Sequence, residues 1–185
     1  MEPKMLLSQI QDIITRRGAE SYLGEEVSME EHMLQAAMLA ESQDGSDEAI
    51  AGALLHDLGH YSGEFPEDAL EQGENNYHEE TGAKLLRGIF PENVVESVRL
   101  HVSAKRYLCA TDTEYFGLLS EASVQSLKLQ GGPMNENEVS EFKKNPFLDL
   151  CVQVRRWDDA AKVPGTPTPP FKHFLPVLER LVSKK

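Results

Sequence analysis

An all-α fold of about eight helices in a single domain is predicted by three features of the sequence. Apolar residues recur at helical spacing through most of the chain. No sustained period-2 alternation of the kind that marks a strand is present. The breaks carry helix punctuation, with Ser28-Met29-Glu30-Glu31 and Ser46-Asp47-Glu48 at starts and Gly18 and Gly131-Gly132-Pro133 at stops. With 185 residues, 40% hydrophobic and 26% charged, the chain suits one globular domain spanning 1–185.

The first helix, from Met5 to Arg17, places Leu6, Ile10, Ile13 and Ile14 on one face. A capping box at Ser28 opens a second through Met33, Ala36, Ala37 and Ala40. Ser46 starts a third that runs towards His56 and Asp57. Glu64 to Asn76, acidic and containing Pro66 and Gly73, is expected to be a surface loop. Tyr77 to Phe90 is helical, and Pro91 opens another helix to about Lys105. Helices follow over Glu114 to Leu129, Glu136 to Lys143 and Pro146 to Lys162. Val163 to Pro170 holds four prolines and a glycine and reads as a linker. An amphipathic helix over 171–183 closes the chain.

Lys and Arg number 18 against 31 acidic residues, a net charge of −13. That balance argues against nucleic acid and against anionic membrane surfaces, which select basic proteins. An anion site in such a chain needs local cations or a metal. No run approaches the roughly 20 apolar residues of a membrane span. Met1-Glu2-Pro3-Lys4 lacks an export signal, and Cys109 and Cys151 have no close pairing. A cytoplasmic protein with reduced thiols is expected.

The stretch Ala53-Leu54-Leu55-His56-Asp57-Leu58-Gly59-His60-Tyr61 concentrates the chemistry. An apolar helix delivers adjacent imidazole and carboxylate groups, both ordinary ligands of first-row metals. Gly59 is expected to cap that helix at positive φ, turning His60 back over the site. His32 follows the capping box, His78 follows Tyr77, and His101 sits within Val98-Arg99-Leu100-His101-Val102. Arg155-Arg156-Trp157-Asp158-Asp159 adds an acidic pair late in the chain. Singly, each histidine reads equally as a core residue and the acidic pair as a solvated helix face. Jointly they supply four imidazoles and two carboxylates. Six nitrogen and oxygen ligands with a shared carboxylate suit two ions bridged by Asp57, and the lack of thiolate favours iron or manganese.

The order His32, His56-Asp57, His78, His101, Asp158 resembles the HD-domain superfamily, and more narrowly its mixed-valent di-iron oxygenases. The resemblance is most specific to the hydroxyphosphonate dioxygenases. It rests on Tyr22-Leu23-Gly24-Glu25, Leu54 to Tyr61, His101 to Leu108, Gln130 to Met134 and Arg155 to Asp158, a metal-site core over about 20–160. It implies two Fe ions, in a mixed-valent Fe(II)/Fe(III) state, with O2 as co-substrate. His32, His56, Asp57 and Asp158 would hold one iron, and His78 and His101 with bridging Asp57 the other. The sequence alone leaves Asp158 and Asp159 equal; the Arg155 spacing within the resemblance selects Asp158.

A small-molecule hydroxyphosphonate is the implied substrate, cleaved at its C–P bond. Lys105 lies four residues beyond His101, His60 three beyond Asp57, Arg155 three before Asp158, and Ser123 and Ser126 three apart. The resemblance places Lys105, His60, Ser123 and Arg155 in the phosphonate pocket, with Ser126 offering a second hydroxyl. Tyr22 and Glu25 correspond to a lid that guards an iron until substrate enters. Tyr22, Tyr61 and Tyr77 stand near site residues in sequence, and aromatic faces attract quaternary ammonium groups. This favours the trimethylated substrate, leading to glycine betaine, over the primary amine, leading to glycine. The main rival is an HD-type phosphohydrolase acting on a phosphoester through a metal-bound hydroxide. His78, His101 and the lid pair argue against it. Ring-cleaving oxygenases keep both irons but need fewer anion-binding groups, and a non-catalytic scaffold has no use for the ligand set.

Overall fold

A computed structural model describes residues 3–20, 22, 24–62 and 77–183, so the expected acidic loop over 64–76 lies outside the described residues. Among them are nine α-helices and no β-strand: α1 (Pro3–Arg17), α2 (Met29–Ser42), α3 (Asp47–Leu55), α4 (His78–Leu86), α5 (Glu92–Thr111), α6 (Glu121–Leu129), α7 (Glu136–Phe142), α8 (Leu148–Ala160) and α9 (Leu175–Ser183). Short 3₁₀ turns cover Leu58–Ser62, Tyr115–Leu118 and Phe171–His173.

Helix α3 is the central post. Ser46 caps it, its hydroxyl accepting from the Ala49 amide at 3.2 Å. From Ala49 to Leu55 every side is buried, as expected of a helix that is apolar all round. It packs against α2, α5, α8 and α9. Full burial of Leu54 and Leu55 stabilises the fold by about 1.5–3 kcal/mol each. Gly52 allows the close crossing, since a Cβ there would stand 2.5 Å from Ser97 Oγ on α5 and 3.2 Å from Val154 Cγ2 on α8. The main core gathers around this helix, and a smaller cluster of Leu100, Ala104, Phe142 and Cys151 lies on the far side of α5. Both cysteines are free.

The expected capping box forms: Ser28 Oγ accepts from the Glu31 amide, and Glu31 Oε2 accepts from the Ser28 amide at 2.7 Å. Several element boundaries differ from expectation. The helix expected over 114–129 is split, because Ser120 caps a new helix with its hydroxyl on the Ser123 amide, leaving a 3₁₀ turn before it. Helix α5 runs past Lys105 to Thr111, with no breaker until Asp112. The helix expected from Tyr77 starts at His78, Tyr77 itself being left-handed at φ 48°. The last helix starts at Leu175, since Pro176 has no amide to donate to an earlier turn and is accommodated only in a first turn.

Gly59 does not cap α3. The cap is His56, right-handed at φ −57°, and Gly59 lies within the 3₁₀ turn without positive φ. Its need is space. A methyl group there would collide with the His78 carbonyl oxygen and lie 2.8 Å from the Gly82 nitrogen. Gly59 therefore lets the turn carrying Asp57 sit directly on the start of α4, which brings His78 to Asp57.

Gly59→Ala is expected to destabilise the protein by about 1–3 kcal/mol, the usual cost of overpacking. Thermal melts of wild type and variant would record a Tm lowered by several degrees, and an unchanged Tm would contradict the close approach.

Candidate metal centre and its cavity

Five elements converge on one buried polar cluster. His32 comes from the first turn of α2, its backbone amide donating to Ser28 O at 2.9 Å. His56 and Asp57 leave the end of α3, His78 opens α4, His101 lies on α5, and Asp158 on the last turn of α8. All six are nine-tenths buried or more.

Three of the four imidazoles are oriented by backbone carbonyls, and His78 Nδ1 lies 3.5 Å from Glu79 Oε2. His32 Nδ1 bonds Ala161 O at 2.9 Å, His56 Nδ1 bonds Ala53 O at 2.7 Å and His101 Nδ1 bonds Val98 O at 2.7 Å. A carbonyl only accepts, so each Nδ1 carries the proton and each Nε2 presents a lone pair inward. The lone pairs of His32 and His56 meet, their Nε2 atoms 3.0 Å apart, and that of His101 faces His78 Nε2 at 3.0 Å. Two acceptors at that distance require a cation or a proton between them. About 3 Å is also the separation of two neighbouring ligands each roughly 2.1 Å from one ion.

Asp57 joins the two pairs. Its Oδ2 stands 3.4 Å from His32 Nε2 and 3.3 Å from His56 Nε2. Its Oδ1 stands 3.1 Å from His78 Nε2 and 3.5 Å from His101 Nε2. Asp158 Oδ1 completes the first group, at 3.5 Å from His32 Nε2 and 3.8 Å from His56 Nε2. Asp57 Oδ2 and Asp158 Oδ1 are buried without a hydrogen-bond partner among the described residues. His32, His56 and Asp57, and separately Asp57, His78 and His101, thus form two groups that could each hold a metal ion and that share a carboxylate. The electrostatics agree. Burial lowers the His56 imidazole, but Asp57 and Asp158 outweigh it and raise it to about 9, so this pocket holds positive charge. Burial raises the Asp57 carboxyl, but His56 and the neighbouring imidazoles bring it well below the usual range.

The cluster forms one wall of a cavity that reaches Tyr22 and Glu25 at one side and α6 at another. Lys105, 2% exposed, donates to Ser126 Oγ at 2.8 Å. Burial, then Arg155, lowers its ammonium to about 7. His60 stacks on His78 with ring centroids 3.9 Å apart and places Nε2 3.8 Å from Asp57 Oδ1. Tyr22 stacks on His32 at 4.0 Å. Glu25 Oε1 accepts from Ser120 Oγ at 2.5 Å. Tyr22, Glu25, His60, Lys105, Ser123, Ser126 and Arg155 all line this cavity above the cluster.

Some expectations need correction, and two residues were missed. Tyr61 and Tyr77 do not line the cavity: Tyr61 is buried under the Arg17 guanidinium, and Tyr77 is 57% exposed. Arg155 borders the cavity but is committed to carboxylates, with Nη1 2.7 Å from Asp158 Oδ2 and Nε 3.0 Å from Asp159 Oδ2. Asp159 faces Arg155 and Tyr115 instead of the histidines, which separates two residues the sequence left equal. Lys162 is the first omission. Its Nζ donates to Ser123 Oγ at 2.9 Å, lies 3.5 Å from Glu25 Oε1 and 3.9 Å from Asp158 Oδ1, and sits over the Tyr22 ring. Its i+4 spacing from Asp158 was the available signal. Gln130 is the second, with Oε1 buried and without a hydrogen-bond partner among the described residues.

Residues 29–158 match the HD domain, and that span runs from the capped start of α2 to Asp158. The chain is 53% identical over 172 residues, 93% of its length and 88% of the relative's, to the [1-hydroxy-2-(trimethylamino)ethyl]phosphonate dioxygenase (glycine-betaine-forming) of Leisingera caerulea. It is 44% identical over 156 residues, 84% of its length and 78% of the relative's, to the hydroxymethylphosphonate dioxygenase of Gimesia maris. An uncharacterized protein of Acanthamoeba polyphaga mimivirus is 32% identical over 170 residues, 90% of this chain and 77% of that protein. The cluster of histidines around a shared His-Asp carboxylate and these matches agree, and the chain belongs to the HD-domain family.

Proposed function

We propose that this protein is a di-iron, O2-dependent dioxygenase that cleaves the C–P bond of [1-hydroxy-2-(trimethylamino)ethyl]phosphonate, a catabolic reaction of the cytoplasm. The observation that carries this reading is the placement of two carboxylate-sharing ligand groups in the wall of a cavity that also holds Lys105 and Lys162. The 53% identity to a dioxygenase of that substrate supports it. The reaction balances as hydroxyphosphonate plus O2 giving glycine betaine, hydrogen phosphate and one proton.

His32, His56, Asp57 and Asp158 would hold one iron, and Asp57, His78 and His101 the other. When bound, the pair supplies Lewis acidity towards the hydroxyphosphonate and the redox partner for O2. The chain's own groups bind and orient the substrate. Lys105 and Lys162, held on Ser126 and Ser123 one turn apart on α6, offer charge-assisted donors to the phosphonate oxygens. His60 binds as a neutral imidazole, because burial and then His78 keep it well below its ordinary value. The Gln130 amide has unused hydrogen-bonding capacity facing the same space. Glu25 carries the charge opposite to a quaternary ammonium, and the Tyr22 ring already faces one cation, Lys162. Tyr22 and Glu25 also close one side of the cavity, which keeps water from the reacting carbon.

Iron-loaded protein is expected to release phosphate from the trimethylated hydroxyphosphonate with equimolar O2 uptake. Phosphate release from ordinary phosphoesters without O2 would assign it to the hydrolases instead. Lys105→Met is expected to lower kcat/KM by about 10- to 100-fold, mostly through KM, the worth of one charged hydrogen bond. Because Lys105 is protonated only below about 7 in the free enzyme, kcat/KM should fall as pH rises through that value. The bound dianion favours the ammonium, so the same limb in kcat should lie at higher pH, and neither limb should persist in Lys105→Met. Chelation of the metals should lower the Tm by roughly 5–10 °C, as expected when about 2.7 kcal/mol of linked binding is lost. Differential scanning calorimetry before and after chelation checks this.

A further inference from the structure

We infer that Asp159 and Tyr115 are positioning residues of the metal centre, holding Arg155 so that Asp158 presents a single fixed oxygen to the histidines. The inference rests on the two-ion reading above. Asp158 divides its oxygens: Oδ2 is 2.7 Å from Arg155 Nη1, and Oδ1 stands among His32 and His56 with no hydrogen-bond partner among the described residues. Arg155 is what keeps them apart, and Arg155 is itself gripped from its other edge. Its Nε lies 3.0 Å from Asp159 Oδ2 and 3.1 Å from the Tyr115 hydroxyl, and its Nη2 bonds Asp159 Oδ1. The Tyr115 hydroxyl in turn donates to Asp159 Oδ2.

Asp158 and Asp159 follow Arg155 by three and four residues on α8, so the planar guanidinium spans both carboxylates. Left to Asp158 alone, the guanidinium would be free to swing and to compete for Oδ1. Asp159 fixes its far edge, and Tyr115 locks Asp159 from outside the helix, on the 3₁₀ turn before α6. Tyr115 and Arg155 are 3% and 4% exposed, so solvent does not loosen the arrangement. Groups behind a metal ligand that set its orientation change metal affinity when removed, typically by 10- to 100-fold. Arg155, read from the sequence as a phosphonate donor, thereby becomes a holder of a ligand.

The test uses full-length apo-protein, titrated anaerobically with Co(II), by calorimetry and by the visible absorption of the bound ion. Wild type is expected to take up two ions. Asp159→Asn and the milder Tyr115→Phe are each expected to weaken one ion by 10- to 100-fold and leave the other within about twofold. Asp159→Glu should recover part of the loss. A merely structural role would instead lower the Tm and weaken both ions equally. That result overturns the inference, as does unchanged Co(II) affinity, including the case in which inorganic phosphate binding weakens instead. Fewer than two ions on the wild type would remove the two-ion reading itself, and the inference with it.

Discussion

Everything in this structure depends on the carboxylate of Asp57. Its two oxygens face opposite ways, each towards a pair of imidazole nitrogens. Burying four imidazoles and two carboxylates without water is costly unless positive charge sits among them. The fold accepts that cost because α3, apolar on every side, fixes where Asp57 emerges. Ligand placement and core packing are therefore one problem. A shift of α3 would move the shared carboxylate relative to helices α2, α4, α5 and α8 at once.

The same economy governs the close approaches. Gly52 lets α3 lie against α5 and α8, and Gly59 and Gly82 let the turn after Asp57 rest on the start of α4. The His32 ring is fixed by the carbonyl of Ala161, just past the helix that carries Asp158. Gln35, one turn beyond His32, bonds both the amide and the carbonyl of Val163. The segment just after α8 is thus fastened to α2 by three hydrogen bonds, which hold His32 beside Asp158.

A chain of net charge −13 still assembles Lys105, Arg155 and Lys162 around one cavity. Each is stabilised by an anchor: Ser126 for Lys105, Asp158 and Asp159 for Arg155, and Ser123 with Glu25 for Lys162. The local charge around the cavity is set by these few contacts. Glu25 and Lys162 place opposite charges side by side on its wall.

Local chemistry was enough to read the helices, the capping box at Ser28, the stop at Leu129, and the joint meaning of His32, His56, Asp57, His78 and His101. Those features depend on periodicity, on side chains that cap their own backbone, and on residue types with few alternative uses. The Arg155 spacing of the family resemblance selects Asp158 over Asp159 and packing shows why, whereas recognising Lys162 and Gln130 and separating Tyr22 from Tyr61 and Tyr77 needed the folded chain. Each turns on which way a side chain points once helices distant in sequence have packed. Gly59 shows the difference most clearly. Sequence shows only that a glycine follows the His-Asp pair, and a helix cap at positive φ and a close neighbour both call for that residue. Only the carbonyl of His78, nineteen positions away and brought against it by tertiary packing, decides between them.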